Sequence, residues 1–188
     1  LKIVADVHLA LVHYPVYNKN GDEVVSSITT LDVHDISRIC KTYNVSNFFV
    51  VTPLKSQQEL VNRMIQHWQT GYGSEYNPTR KQALLKTVVK RSLEDVIDDL
   101  EEKIGEKPKT VATGAKQSSQ SVSFEILGKE IADSGNILLI FGTGWGLTKE
   151  LSEKVDCILE PIKGKGEYNH LPVRAAIAII LDRLLSEK

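Results

Sequence analysis

A chain of 188 residues with 41% apolar and 25% charged side chains has material for one sizeable core and the balance of an ordinary globular protein. That composition excludes a disordered chain, and the length favours a single domain over residues 1–188. Its 23 basic and 24 acidic residues leave a formal net charge of −1, which excludes a surface coated in positive charge but allows local patches.

Apolar runs alternate with helix-period segments along the whole chain, the pattern of an α/β domain with a mostly parallel sheet and helices on both faces. Residues 3–12 read as the first strand. The apolar stretch 7–16 contains His8, His13 and Pro15, is too short to span a bilayer, and lacks the basic flank and cleavage site of a leader, so a cytoplasmic protein is expected. Residues 15–22 read as a loop turning at Asn20-Gly21. A helix over 33–43 follows, with Asp32 as its N-cap and Val33, Ile36, Ile39 and Cys40 on one face. Residues 47–51 form a second strand, 56–68 a helix, and 71–78 a Gly/Tyr/Asn/Pro-rich excursion. A third strand covers 86–89, and a helix over 92–104 opens on the capping-box pair Ser92 and Asp95. A fourth strand, 110–113, runs into Gly114, whose position makes it a candidate ligand contact. A helix over 123–134 leads to the strand 136–140. One short helix and the strand 155–159 then precede a last helix, 173–185. That helix is too densely Ala/Ile/Leu for a surface position, so one face packs on the sheet and another suits a dimer contact. Cys40 and Cys157, the only cysteines, have no partners at metal-ligand spacing and read as buried thiols; no metal site is expected.

Charge is segregated at one boundary. From residue 80 to 91 the chain carries Arg80, Lys81, Lys86, Lys90 and Arg91 without an acid; Glu94, Asp95, Asp98, Asp99, Glu101 and Glu102 follow. A single basic face suits a polyanion, and two solvated surfaces account for the charges equally well.

The most specific segments lie late. Gly142-Thr143-Gly144-Trp145-Gly146 follows a strand buried on both faces, and Tyr168-Asn169-His170-Leu171-Pro172-Val173-Arg174 opens the last helix. The intervening chain is short enough to bring the two together. The glycines do not have the G-x-G-x-x-G spacing, the early position or the long following helix of a dinucleotide site, and no Gly-Lys-Ser/Thr follows to hold a polyphosphate. What remains is a ligand with an apolar ring and few anionic groups, held by loop backbone. S-adenosylmethionine fits, with its adenine against Ile162 and Leu171; a tight loop with no ligand fits the same residues.

These segments resemble the knotted SPOUT superfamily of RNA methyltransferases, in the branch related to bacterial tRNA guanine-N1 methyltransferase. Family members carry a loop of the type Gly-Pro-Glu-Gly-Gly-Leu-Thr, a short helix and strand, and an Asn-containing turn before the final helix. Here Gly142-Thr143-Gly144-Trp145-Gly146-Leu147-Thr148 and Asn169 stand in that order, with Gly144 in place of the glutamate. The ribose 2′-O branch has an Asn, then Ile-Xaa-Arg, then Phe-Gly-Val; Asp32, Ile36-Ser37-Arg38 and Tyr43-Asn44-Val45 fill those positions.

The resemblance implies an S-adenosylmethionine-dependent methyltransferase acting on tRNA or rRNA, with a deep C-terminal trefoil knot, working as a homodimer. It implies a cofactor gripped by three loops, which map to Thr113 and Gly114, to Phe141, Gly142, Thr143 and Gly144, and to Ile162 with Tyr168, Asn169, Leu171 and Val173. It also implies Arg38 as catalytic. If the acceptor is guanine N1, a carboxylate takes the proton, with Asp32 the first candidate and Glu167 the second; if it is a ribose hydroxyl, Arg38 positions it against the phosphate. Arg80, Lys81, Lys86 and Lys90 are the candidates for RNA phosphates, and Tyr72, Tyr76 or Trp145 for stacking an exposed base. His34 reads as packed or solvated. A non-catalytic RNA-binding module of the same fold is the alternative, with a nucleotide-binding oxidoreductase well behind.

Overall fold

The computed structural model describes residues 6–116, 121–133 and 135–186. Strands β1 (Val7–Val12), β4 (Asn47–Val51), β5 (Thr87–Lys90), β6 (Lys109–Ala112), β7 (Ser121–Val122), β8 (Ile137–Gly142) and β9 (Cys157–Leu159) form one sheet in the order β5-β4-β1-β8-β6-β9-β7. Every pairing in it is parallel. Composition explains the order. VHLALV of β1 is buried at all six positions and ILLIFG of β8 at five, so these continuous apolar runs take the centre, where both faces are covered. The short strands β5 and β7 take the edges.

Alternation along each strand splits the core in two. Val7, Leu9, Leu11, Leu139 and Phe141 pack with α1 (Thr30–Thr42), α6 (Phe124–Ala132) and α8 (Val173–Leu185) on one face. On the other, Ala10, Val12, Leu138 and Ile140 meet Leu93, Val96 and Leu100 of α5 (Leu93–Ile104) and Leu151 of α7 (Lys149–Glu153). Ile177, Ile180 and Leu181 of α8 are buried, and each contributes about 1.5–3 kcal/mol of burial relative to solvent. Cys40 and Cys157 are buried free thiols.

Several boundaries differ from the sequence reading, each for a local reason. Asp32 is not the N-cap of α1: the helix starts at Thr30, and Thr29, in extended backbone, caps it by accepting from the Asp32 amide. Both residues are eligible caps; using Thr29 leaves the Asp32 carboxylate in the first turn, where helix amide groups favour an anion and where it accepts from the Thr29 hydroxyl at 2.6 Å. The excursion 71–78 is helical. It forms α3 (Tyr72–Tyr76) and α4 (Pro78–Leu84), the second with Asn77 as N-cap and Pro78 in its first turn, so residues that read as turn formers act as helix starts. The stretch 15–22 contributes to a hairpin of β2 (Val16–Tyr17) and β3 (Glu23–Val24). The first strand was expected from residue 3, and residues 3–5 lie outside the described residues, as does Ser134 at the expected end of α6. Asn44 has φ +54, and Val45 N–H donates to Cys40 O at 2.9 Å; after glycine, Asn is the residue that best tolerates this left-handed helix stop.

Candidate active site

The glycine loop is built by its neighbours. β8 ends at Gly142, where a Cβ would come within 2.6 Å of Leu147 N, so the chain doubles back as tightly as backbone permits. The hairpin then braces the loop from outside: Tyr17 N–H donates to Gly146 O and Trp145 N–H to Tyr17 O, both at 2.9 Å, and Lys149 N–H donates to the Tyr17 hydroxyl at 3.1 Å. Gly144 has φ +58 and lies so close to the hairpin that a Cβ would sit 2.8 Å from Tyr17 O. This brace is a contribution the sequence reading missed; the apolar pairs flanking Asn20-Gly21 were its only signal.

Beneath the loop runs a partly buried polar chain. The Thr143 hydroxyl donates to Val12 O at 3.1 Å, which leaves Ser26 to donate to Thr143 Oγ1 and His13 Nδ1–H to donate to Ser26 Oγ at 3.0 Å. His13 is 1% exposed and its Nε2 has no hydrogen-bond partner. Burial lowers its pKa from 6.5 to about 4 against the opposing pull of Asp32 and of the Ser26 backbone. It is therefore neutral at physiological pH, and the directed chain His13–Ser26–Thr143–Val12 ties the end of β1 to the start of the glycine loop.

A second tie joins the two helix starts. Arg174, in the first turn of α8, places Nη1 2.9 Å from Asp32 Oδ1 and Nε 3.4 Å from Asp35 Oδ2. Asp32 thus has one oxygen on a guanidinium and the other on the Thr29 hydroxyl, with a side chain only 13% exposed. Arg174 was noted in the sequence without a role. Before α8, Asn169 Nδ2 donates to Ala115 O at 3.0 Å, bringing residues 160–172 against the loop after β6.

The segments singled out in the sequence therefore converge on the carboxyl edge of the sheet, the usual place for a ligand in an open parallel sheet. Thr113 and Gly114 extend β6, with Thr113 N–H donating to Ile140 O of β8 at 3.0 Å. Phe141 points into the core at 2% exposure and offers backbone only; Gly142, Thr143 and Gly144 form the turn. Ile162 and Val173 pack partly against the core, whereas Tyr168 and Leu171 are exposed. At Gly114 no atom of the described residues lies within 4 Å of where a Cβ would stand. Glu167 is exposed on the same approach.

Other candidates stand further out. Arg38 lies six residues beyond Asp32 on α1, about 9 Å along the axis; it is exposed, and among the described residues no carboxylate lies within ion-pair distance. The Arg80 guanidinium lies over the Trp68 ring at 4.6 Å, and the rings of Trp68 and His34 of α1 meet at right angles with centroids 5.5 Å apart. Lys81 is half-buried and Lys86 exposed; Lys86 precedes β5, at the amino edge of the sheet. Lys90 is held by Asp99 at 2.8 Å, so its charge is already shared with the acidic helix α5. His34 is half-buried among these groups, its pKa lowered by burial and then by Arg80.

A family model described as SAM-dependent RNA methyltransferase matches residues 6–186. A protein of Aquifex aeolicus named only as uncharacterized is 39% identical over 187 residues, covering 99% of this chain and 91% of that one. The tRNA (guanine-N(1)-)-methyltransferase of Nitratidesulfovibrio vulgaris is 40% identical over 182 residues; the match covers 97% of this chain but 42% of that protein. Among solved structures, the AdoMet-bound rRNA methyltransferase of Sinorhizobium meliloti superposes with a TM-score of 0.58 at 15% identity, over 95% of this chain and 55% of that one. At that identity the likeness is one of fold.

Proposed function

Because the chain belongs to the family of SAM-dependent RNA methyltransferases, we propose that it methylates tRNA at guanine N1, with the cofactor in the three-loop cleft and Asp32 as proton acceptor. The residues of the cleft fit the group. Ile162, Leu171 and Val173 offer apolar side chains to an adenine ring, no atom of the described residues stands within 4 Å of a Cβ at Gly114, and Thr113, Phe141, Gly142, Thr143, Gly144, Tyr168 and Asn169 offer backbone and small polar groups. When bound, S-adenosylmethionine supplies an electrophilic sulfonium methyl. The protein's task is to align the acceptor and take one proton.

The observation that carries the reading is the Arg174–Asp32 pair. It fastens a carboxylate of α1 to the helix that follows the third cofactor loop, so that donor pocket and base move as one unit. Arg174 holds Oδ1, and Oδ2 exchanges its Thr29 donor for the guanine N1–H, receiving that proton as the nitrogen attacks. Arg38, unpaired on the same helix, takes a substrate phosphate. A second reading rests on Arg38 alone: with a ribose 2′-hydroxyl as acceptor, its guanidinium positions the hydroxyl and favours its ionisation.

The guanine-N1 assignment draws on a relative of which this chain matches 42%. A homodimer fits the apolar side chains left in the open beside the Arg174 tie, Leu31 at 63% and Leu171 at 45% exposure. The family's C-terminal knot fits the passage of residues 160–172 against the loop after β6. No helix among the described residues is long and apolar enough to cross a membrane, and we assign the reaction to the cytoplasm.

Labelled methyl transfer to bulk tRNA followed by nucleoside mass mapping tests the proposal. N1-methylguanosine is expected, and Asp32→Asn is expected to lower kcat about 100-fold with cofactor affinity unchanged. Recovery of 2′-O-methylated nucleosides instead transfers the proton step to the Arg38 reading, and RNA binding without any incorporation leaves a non-catalytic module. Arg80→Ala is expected to weaken tRNA binding about fivefold, roughly 1 kcal/mol, without altering cofactor affinity; equal loss of both ligands in parallel titrations refutes the separation of the two surfaces.

A further inference from the structure

We propose that Tyr72 and Tyr76, with Arg80 beside them, form a stacking platform for an unpaired nucleobase of the RNA, separate from the methyl-transfer cleft. The proposal rests on the reading that the substrate is RNA. Tyr72 and Tyr76 are one turn apart on α3, their rings 6.1 Å apart and inclined by 23°, and they are 74% and 75% exposed. The ring contact that each makes is with the other. The helix that carries them is nevertheless held firmly: at Gly73 a Cβ would meet Trp68 Cε3 at 2.7 Å and His67 Nε2 at 2.8 Å. A helix clamped on its glycine side against Trp68 has to present its tyrosines outward.

Trp68 is the hub of this corner. Its ring takes His67 edge-on at 5.1 Å, His34 of α1 edge-on at 5.5 Å and the Arg80 guanidinium at 4.6 Å. No carboxylate among the described residues lies within ion-pair distance of Arg80. A guanidinium held over an indole by its charge still has N–H groups to offer phosphate oxygens. Two exposed rings inclined by 23°, on a helix packed against the same Trp68 that holds the cation, match a nucleotide, base on ring and phosphate on guanidinium. Duplex RNA hides its base faces within the helix, so the matching ligand is an unpaired nucleotide. Charge selects RNA over a protein partner: apart from Lys90, which Asp99 holds, residues 77–91 carry Arg80, Lys81, Lys86 and Arg91 with no acid among them, and Glu75 is the one acid of α3. Through Trp68 and His34 the platform adjoins α1, the helix that also carries Asp32.

The test uses a fluorescein-labelled single-stranded RNA octamer and a duplex of equal length, with anisotropy titrations of the wild type, Tyr72→Ala/Tyr76→Ala and Tyr72→Phe/Tyr76→Phe. The alanine pair is expected to bind the single strand about tenfold or more weakly, the phenylalanine pair to retain affinity, and the duplex to be little affected. Unchanged single-strand affinity in the alanine pair overturns the platform. So does equal loss for strand and duplex, and so does conversion of a dimer to a monomer on sedimentation, which would make the tyrosines a contact between copies. Calorimetric titration with S-adenosylmethionine separates the two readings: a wild type that binds the octamer through its tyrosines but takes up no cofactor defeats the methyltransferase reading and leaves the platform standing.

Discussion

Gly144→Val is expected to lower S-adenosylmethionine affinity about 100-fold, close to 3 kcal/mol, while the sheet stays folded. Two effects add at this position. With φ at +58, a β-branched residue pays about 1–2 kcal/mol for a left-handed backbone. The new Cβ would also stand 2.8 Å from Tyr17 O, the carbonyl that accepts from Trp145 N–H, so the loop is driven off its brace. The strand before it is insulated from this: residues 137–141 are buried on both faces and paired with β1 and β6. Gly146→Ala is the control, since Gly146 has φ +101 but no atom of the described residues within 4 Å of a Cβ. It carries the backbone strain without the collision and should lose far less affinity. Titration calorimetry with a parallel thermal melt reads both quantities, and wild-type affinity in Gly144→Val would move the cofactor away from this loop.

Acidification is expected to unfold the protein through two histidines of β1. Burial lowers the pKa of His8 from 6.5 to about 4, Asp6 pulling the other way and Lys103 and Lys86 adding to the fall; His13 drops equally for the reasons given above. His8 Nδ1 is paired with Asn47 at 3.1 Å, but its Nε2, like that of His13, has no partner. Above pH 6.5 both the folded and the unfolded chain leave these rings neutral, and the full stability is present. Between 6.5 and about 4 the unfolded chain takes up protons that the folded one refuses, so stability falls steadily; below about 4 the loss levels off. Each histidine accounts for about 3 kcal/mol. The two together approach the roughly 5–15 kcal/mol that a domain has in total. Urea midpoints measured from pH 7.5 down to pH 4.5 should drop most steeply below 6.5. A flat profile, or imidazole resonances of His8 and His13 titrating near 6.5 in the native state, would contradict the burial argument.

The same histidines show how far residue patterns carry. The β1 run is apolar enough to be read as a strand with its two histidines included, because continuous hydrophobicity of that length has few other uses. Whether an imidazole inside it is solvated or stranded depends on which helix covers that face. The glycine loop and the last helix were equally legible: β8 is a pure apolar run closed by glycines, and α8 matches its expected bounds of Val173–Leu185. The start of α1 was not, since Thr29 and Asp32 can each cap a helix and the choice depends on what the spare carboxylate meets. Nor was the hairpin over the loop, whose two-residue strands are too short for any period to register.

What the sequence determined by itself is the α/β pattern, the central apolar strands, and the residue types that gather at the carboxyl edge. These follow from local chemistry repeated over adjacent residues, which chain order preserves. Only the tertiary structure decided that Ser26 meets Thr143 across 117 residues and Arg174 meets Asp32 across 142. Such contacts are single pairs of polar groups with no periodicity, and the insertion of β8 between β1 and β6 brings their elements together. Strand order in the sheet is a property of the whole packed chain, and the site is assembled by it.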